Sequence, residues 1–239
     1  MTPAQTFANA LIEAHRTGQR ADVSSLPLPG FAEALEIQQK VQADLGTVAG
    51  FKVARSPEGP PIMAPIAARR VVQSGAEVSV QDVLGIELEV GFEVLSVPTG
   101  DPLDHPERHF RPRVVIELVD TRMAGSDHAP LAKLADMQIN AGLVVGPALD
   151  GWDGRDFGVV DAALRCGETQ VIDGHATVPG GSALTNLALL CAHIGNHCGG
   201  LRAGQIVITG SLSGLKYFPA GTNVIGRIDG FGEIRCFLR

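Results

Sequence analysis

Apolar and polar residues alternate without a break in Ile86-Glu87-Leu88-Glu89-Val90-Gly91-Phe92-Glu93-Val94. Period two marks a strand, with Leu88, Val90, Phe92 and Val94 on one face and Glu87, Glu89 and Glu93 on the other. The β-branched run Val114-Val115-Ile116-Glu117-Leu118-Val119 predicts a buried strand carrying a single acid. Similar short runs, punctuated by Gly, Pro and Asp, predict strands over Glu77–Val80, Ile86–Leu95, Val114–Leu118, Gly158–Cys166, Gln170–Thr177, Ile206–Thr209, Asn223–Ile228 and Ile234–Leu238. Asp229-Gly230 and Gly232 mark a tight hairpin between the last two.

The N-terminal part has helical spacing instead. Thr2 as cap, Pro3 in the first turn and Gln5 three residues on make a capping-box arrangement, followed by the stripe Phe7, Ala10, Leu11 and Ala14. Ala34, Ile37, Gln38 and Val41 predict a second helix over 32–45. Later helices are expected from Pro130 to Ile139 and from Ser182, which opens a segment turning Leu184, Leu187, Ala188, Cys191 and Ile194 inward and stopping near Gly199. Helices and strands are segregated, so the fold class is α+β, with a mostly helical region at 1–70 and a β-rich catalytic domain at 71–239.

With 239 residues and 45% hydrophobic content the chain can bury a large core. The net charge of −7 without a basic stripe argues against nucleic acid, and no apolar run approaches a membrane span or secretion signal, so the expected location is cytoplasmic. Cys166, Cys191, Cys198 and Cys236 lack metal or redox spacing and read as buried free thiols. His105, His109 and His128 lie in loop text and read as surface residues.

The acids change the picture most. Residues two apart on a strand are separated by roughly 6.6 Å, so Glu87 and Glu89 can reach one ion, and Glu117 is an acid where burial of an unpaired charge is costly. Oxygen ligands alone point to a hard cation, Mg²⁺ first, with Mn²⁺ or Ca²⁺ as alternatives. Two other readings stand beside this one: a solvated polar face for Glu87, Glu89 and Glu93, and an Arg partner (Arg111, Arg113 or Arg122) for Glu117.

Lys52, in the apolar text Gly50-Phe51-Lys52-Val53-Ala54, is either a snorkelling strand lysine or a positive charge for a substrate carboxylate, carbonyl or enolate. Asp136, Gln138 and Asn140 end the third helix with an acid and two amides that either orient a substrate or terminate the helix. Thr209-Gly210-Ser211 ends an apolar strand in a turn suited to holding a carboxylate through backbone N–H groups.

Taken in order, Gly50-Phe51-Lys52-Val53, Glu87-Leu88-Glu89, Glu117, the segment from Ala135 to Gly146, and Leu201-Arg202-Ala203-Gly204-Gln205-Ile206-Val207-Ile208-Thr209-Gly210-Ser211 resemble the 2-oxopent-4-enoate hydratase and 4-oxalocrotonate decarboxylase family, within the fumarylacetoacetate-hydrolase superfamily. The resemblance implies a β-roll or sandwich with an N-terminal helical region, homo-oligomers, and Mg²⁺ or Mn²⁺ on Glu87, Glu89 and Glu117, with Lys52 as the family lysine. It implies small unsaturated 2-oxo acids from aromatic catabolism as substrates and hydration as the reaction. Decarboxylation of a 2-oxo diacid, cleavage of an acylpyruvate, or service as a weakly active subunit bound to a homologous decarboxylase or hydratase are the alternatives. Two departures bear on activity: Pro60-Pro61-Ile62-Met63-Ala64-Pro65 lacks the family's acid, and Asp136-Met137-Gln138-Ile139 stands where hydratases show Asp-Asn-Ala-Ser.

Overall fold

The computed structural model describes residues 1–57, 59–125 and 128–239. Its elements are α1 (Pro3–Thr17), α2 (Phe31–Leu45), β1 (Val48–Ala54), β2 (Ile62–Ala67), β3 (Val71–Gln73), β4 (Glu77–Val78), β5 (Val83–Val94) and β6 (Phe110–Val119). They continue as α3 (Pro130–Ala135), β7 (Asn140–Ala148), β8 (Val159–Cys166), β9 (Thr169–Thr177), α4 (Ala183–His193), β10 (Ile206–Ser211), β11 (Lys216–Pro219), β12 (Asn223–Ile228) and β13 (Gly232–Leu238).

Thr2 caps α1 by accepting from the Gln5 N–H at 3.2 Å, while the Gln5 side chain turns to Asn9 instead of closing the box. Ser182 caps α4 through the Thr185 N–H, as its sequence predicts. That helix ends at His193, before the expected stop at Gly199. Gln38 sits fully buried on α2, which is possible because its amide donates to the carbonyls of Met63 and Leu134.

Eight strands form one sheet in the order β2-β1-β10-β5-β6-β7-β3, with β11 also paired to β5; five form a second, β4-β13-β12-β8-β9. The sheet crosses the division expected near residue 70, since β1 and β2 precede it and β1 pairs with β10. The alternation in β5 decides which face goes where. Leu88, Val90, Phe92 and Val94 are buried in one cluster with Ala162, Leu164, Val224 and Ile234 of the second sheet, each contributing roughly 1.5–3 kcal/mol by leaving water. The opposite face of β5 is left to its acids. A separate apolar cluster joins Phe7, Leu11, Ala34, Ile37 and Val41 of α1 and α2 to Ala64, Leu134 and Met137.

Candidate metal and substrate site

Glu87 on β5 and Glu117 on β6 are direct cross-strand partners, and Glu89 follows along β5. The sheet therefore sets three carboxylates side by side, with one oxygen of each within 4.8 Å of the others. Like charges opposite one another destabilise a strand pair. Here they are also desolvated, for Glu89 and Glu117 are each 1% exposed. Burial, and then the charge of Glu117, raise the Glu87 carboxyl above its ordinary range. The same two causes, joined by Glu87, hold Glu89 well above it.

Lys52 supplies the counter-charge inside the chain. Its Nζ donates to Glu117 Oε1 at 2.5 Å and to the Gln138 carbonyl at 3.4 Å. Burial opposes the ammonium, but Glu117, then Glu89 and Glu87, together hold it above its usual range. Register explains the reach: β1 runs parallel to β10 with Lys52 opposite Ile208, which in turn faces Gly91 of β5. Gly50 permits this approach, because a Cβ there would lie 2.0 Å from the Ile206 carbonyl oxygen. The arginines named as alternatives go elsewhere. Arg111 and Arg113 both bind Glu93 at 2.7 Å, and Arg122 binds Asp136 at 2.6 Å. Glu117 instead accepts from Asn140 Nδ2 at 2.8 Å.

The segment after α3 departs from the expected helix through Ile139. Met137, Gln138 and Ile139 have φ of 54, 49 and 54°, three successive non-glycine residues in the left-handed region, at a cost of about 1–3 kcal/mol each. Asp136 anchors the turn: its carboxylate accepts from Thr121 Oγ1, the Arg122 N–H and Arg122 Nε, while Arg122 Nη1 donates to the Asn140 carbonyl. Asp136 is 0% exposed and both its oxygens are engaged, so it positions the turn. The turn in exchange aims the Gln138 carbonyl at Lys52 and leaves Gln138 Oε1 buried without a partner among the described residues.

The Thr209 turn differs from expectation in its wiring. The Thr209 hydroxyl donates to the Val90 carbonyl at 2.8 Å and the Gly210 N–H donates to Glu89 Oε2 at 2.7 Å. The backbone donor expected to hold a substrate carboxylate thus holds an acid of the cluster. Ser211 hydrogen-bonds Glu87. Asn186, which sequence reasoning passed over, supports the turn by donating to the Thr209 carbonyl at 3.0 Å. Its only signal was an amide on the buried face of α4, between Leu184 and Leu187.

The fold is α+β of the fumarylacetoacetate-hydrolase type, and it carries three clustered glutamates, two of them buried. No family model matches the chain, and no curated protein matches it in sequence. Among solved structures it is similar to 4-oxalocrotonate decarboxylase from Pseudomonas putida G7 complexed with magnesium and adipate, at a TM-score of 0.79, 19% identity and coverage of 99% of this chain and 97% of that one. Fumarylpyruvate hydrolase from Pseudomonas aeruginosa in complex with Mn²⁺ and pyruvate matches at TM-score 0.58 and 17% identity, covering 79% of this chain and 88% of that one. A probable 2-hydroxyhepta-2,4-diene-1,7-dioate isomerase from Mycobacterium abscessus matches at 0.59 and 15%, covering 99% and 88%. At these identities the structural likeness shows the fold alone. No helix among the described residues is long and apolar enough to cross a membrane.

Proposed function

We propose that the chain is a divalent-metal-dependent hydratase of a small unsaturated 2-oxo acid of the 2-oxopent-4-enoate kind. The observation that carries this reading is the triad Glu87, Glu89 and Glu117, mutually within 4.8 Å, with Glu89 and Glu117 buried and a lysine serving it. Its donor set is all oxygen, as a hard divalent ion requires, and the raised carboxyls of Glu87 and Glu89 are what an ion would relieve. These three residues would hold Mg²⁺ or Mn²⁺, which when bound supplies a Lewis acid for the carboxylate and 2-oxo oxygens of the substrate.

The chain's own groups divide the remaining work. Lys52 Nζ keeps a positive charge beside Glu117, where it stabilises negative charge developing on the substrate. Asn140 fixes the Glu117 carboxylate, and the Gly210 N–H and Ser211 fix Glu89 and Glu87. Gln138 Oε1 accepts from a substrate or water hydroxyl, the pairing its burial calls for. The test uses the purified chain with Mg²⁺ and a 2-hydroxydienoate: loss of dienol absorbance without carbon dioxide release is expected, and no turnover refutes the reading.

A second reading, decarboxylation of a 2-oxo diacid, is favoured by the near-full-length likeness to the decarboxylase. Stoichiometric carbon dioxide release from a 2-oxo diacid would select it.

A further inference from the structure

A cavity of about 560 Å³ opens between the end of α1, the end of α2 and the strands β3, β4 and β6. Glu87, Glu89, Glu117, Lys52, Gln138 and the Thr209 turn do not line it, whereas Asn140 and the Asp136 partners Thr121 and Arg122 do. Its walls are of two kinds. One is apolar, formed by Val72, Val78, Val80, Leu84 and Leu118, all packed in the core between the sheets. The other carries His15, Arg20, Arg69, Arg70 and Arg122.

The acids nearby do not balance this wall. Asp120 and Glu77 line the cavity, but Asp120 is paired with Arg20 at 2.9 Å and Glu77 with Arg239 at 3.6 Å. Arg122 is taken up by Asp136. Arg69 and Arg70, side by side on the turn after β2, have no acidic partner among the described residues. Both ring nitrogens of His15, the Nε of Arg20 and the Oε1 of Gln42 are buried without a partner among the described residues. Buried polar groups in folded proteins are nearly always hydrogen-bonded, to protein, water or ligand, so these groups call for polar atoms inside the cavity.

We propose that this cavity binds a small organic carboxylate with an apolar body, its carboxylate held by Arg69 and Arg70 beside His15 and its body laid along Val72, Val78, Leu84 and Leu118. Guanidinium groups take carboxylates in a bidentate fork, and the volume is that of a small-molecule site. Burial, and then Arg122, Arg70 and Arg69, hold the His15 pKa down to about 2. The ring is therefore neutral and offers one N–H to an anion.

Calorimetric titration of the full chain with octanoate tests the site, with 1-octanol as the neutral probe and inorganic phosphate as the probe without an apolar body. One octanoate per chain is expected, with affinity at least tenfold weaker in Arg69→Ala/Arg70→Ala and in His15→Phe, which keeps a ring of similar size but removes the N–H. Both arginines are exposed, so the double variant should keep the wild-type melting temperature; should it unfold, His15→Phe decides alone. Binding should persist in Glu89→Gln and in the presence of Mg²⁺ and oxalate. Octanol binding as tightly as octanoate overturns the anionic head, and phosphate binding as tightly overturns the apolar body. Unchanged affinity in the variants, or displacement by Mg²⁺ and oxalate, overturns the site itself.

Discussion

Replacing Lys52 by Met removes the ammonium but keeps an unbranched side chain of similar length. Among the described residues Glu117 then keeps only the Asn140 amide as donor, with Glu87 opposite it in the strand pair. Breaking a buried ion pair by removing one partner costs roughly 3–5 kcal/mol. Metal-free Lys52→Met should therefore lose about 3 kcal/mol at pH 7, less whatever the lysine's own desolvation returns. At about 2–4 °C per kcal/mol for a chain near this size, the melting temperature falls by roughly 6–12 °C. The sign with pH follows from the two kinds of group. The Lys52 ammonium is held above its usual range, so its contribution is intact below that range and is lost only as pH rises through the folded value. The Glu87 and Glu89 carboxyls are held above their usual range, so they take up protons as pH falls toward that range and the gap between variant and wild type narrows. Thermal melts of both proteins in chelator from pH 8 to 5 measure this, and saturating Mg²⁺ should also narrow the gap. Melting within 2 °C of wild type across that range would refute the ion-pair account, and full turnover by the variant would make Lys52 structural.

Glu89→Gln should abolish the Mg²⁺-induced rise in melting temperature with the fold retained, and an unchanged metal affinity by calorimetry refutes its assignment as a ligand. The folded carboxyls of Glu87 and Glu89 are raised, so each destabilises the metal-free chain above its folded pKa and ceases to do so below its unfolded value. Metal-free Glu89→Gln should accordingly melt above wild type at pH 8, with the difference closing as pH falls toward 4.5; a gap that widens on acidification contradicts the burial argument. Gln138→Gly should relieve left-handed strain and stabilise the chain by about 1 kcal/mol in urea, while raising KM for the 2-oxo acid; unchanged KM removes Gln138 from the substrate's contacts.

The acid strands were legible because alternation and a lone acid in β-branched text are strong local signals. Glu87, Glu89 and Glu117 lie together as the spacing anticipates. Partnerships were not legible. Nothing local tells that Lys52 meets Glu117 across sixty-five residues, or that Arg122 goes to Asp136, because those pairings depend on strand order. β1 and β2 were read as part of a helical region because Gly50 in the first and Pro65 in the second mask their alternation. β11 was missed for a related reason: Lys216-Tyr217-Phe218-Pro219 is mostly exposed and ends in Pro, leaving no pattern beyond its edge pairing. The helix through Ile139 failed at Asp136, where a buried Arg122 overrides local propensity. His109 and His128, expected at the surface, are half-buried.

The place of β10 between β1 and β5 bears on how the chain matures as it leaves the ribosome. The β5–β6 hairpin, with Glu87 facing Glu117, can close as soon as residue 119 is made, whereas Lys52 cannot be seated until β10 arrives around residue 206 to bridge β1 to it. During that interval the two strands present open edges, which invite pairing with other chains. The same acids repel each other without their lysine. A divalent ion captured by the nascent hairpin would relieve that repulsion early, so magnesium supply should govern the yield of native protein as well as its activity.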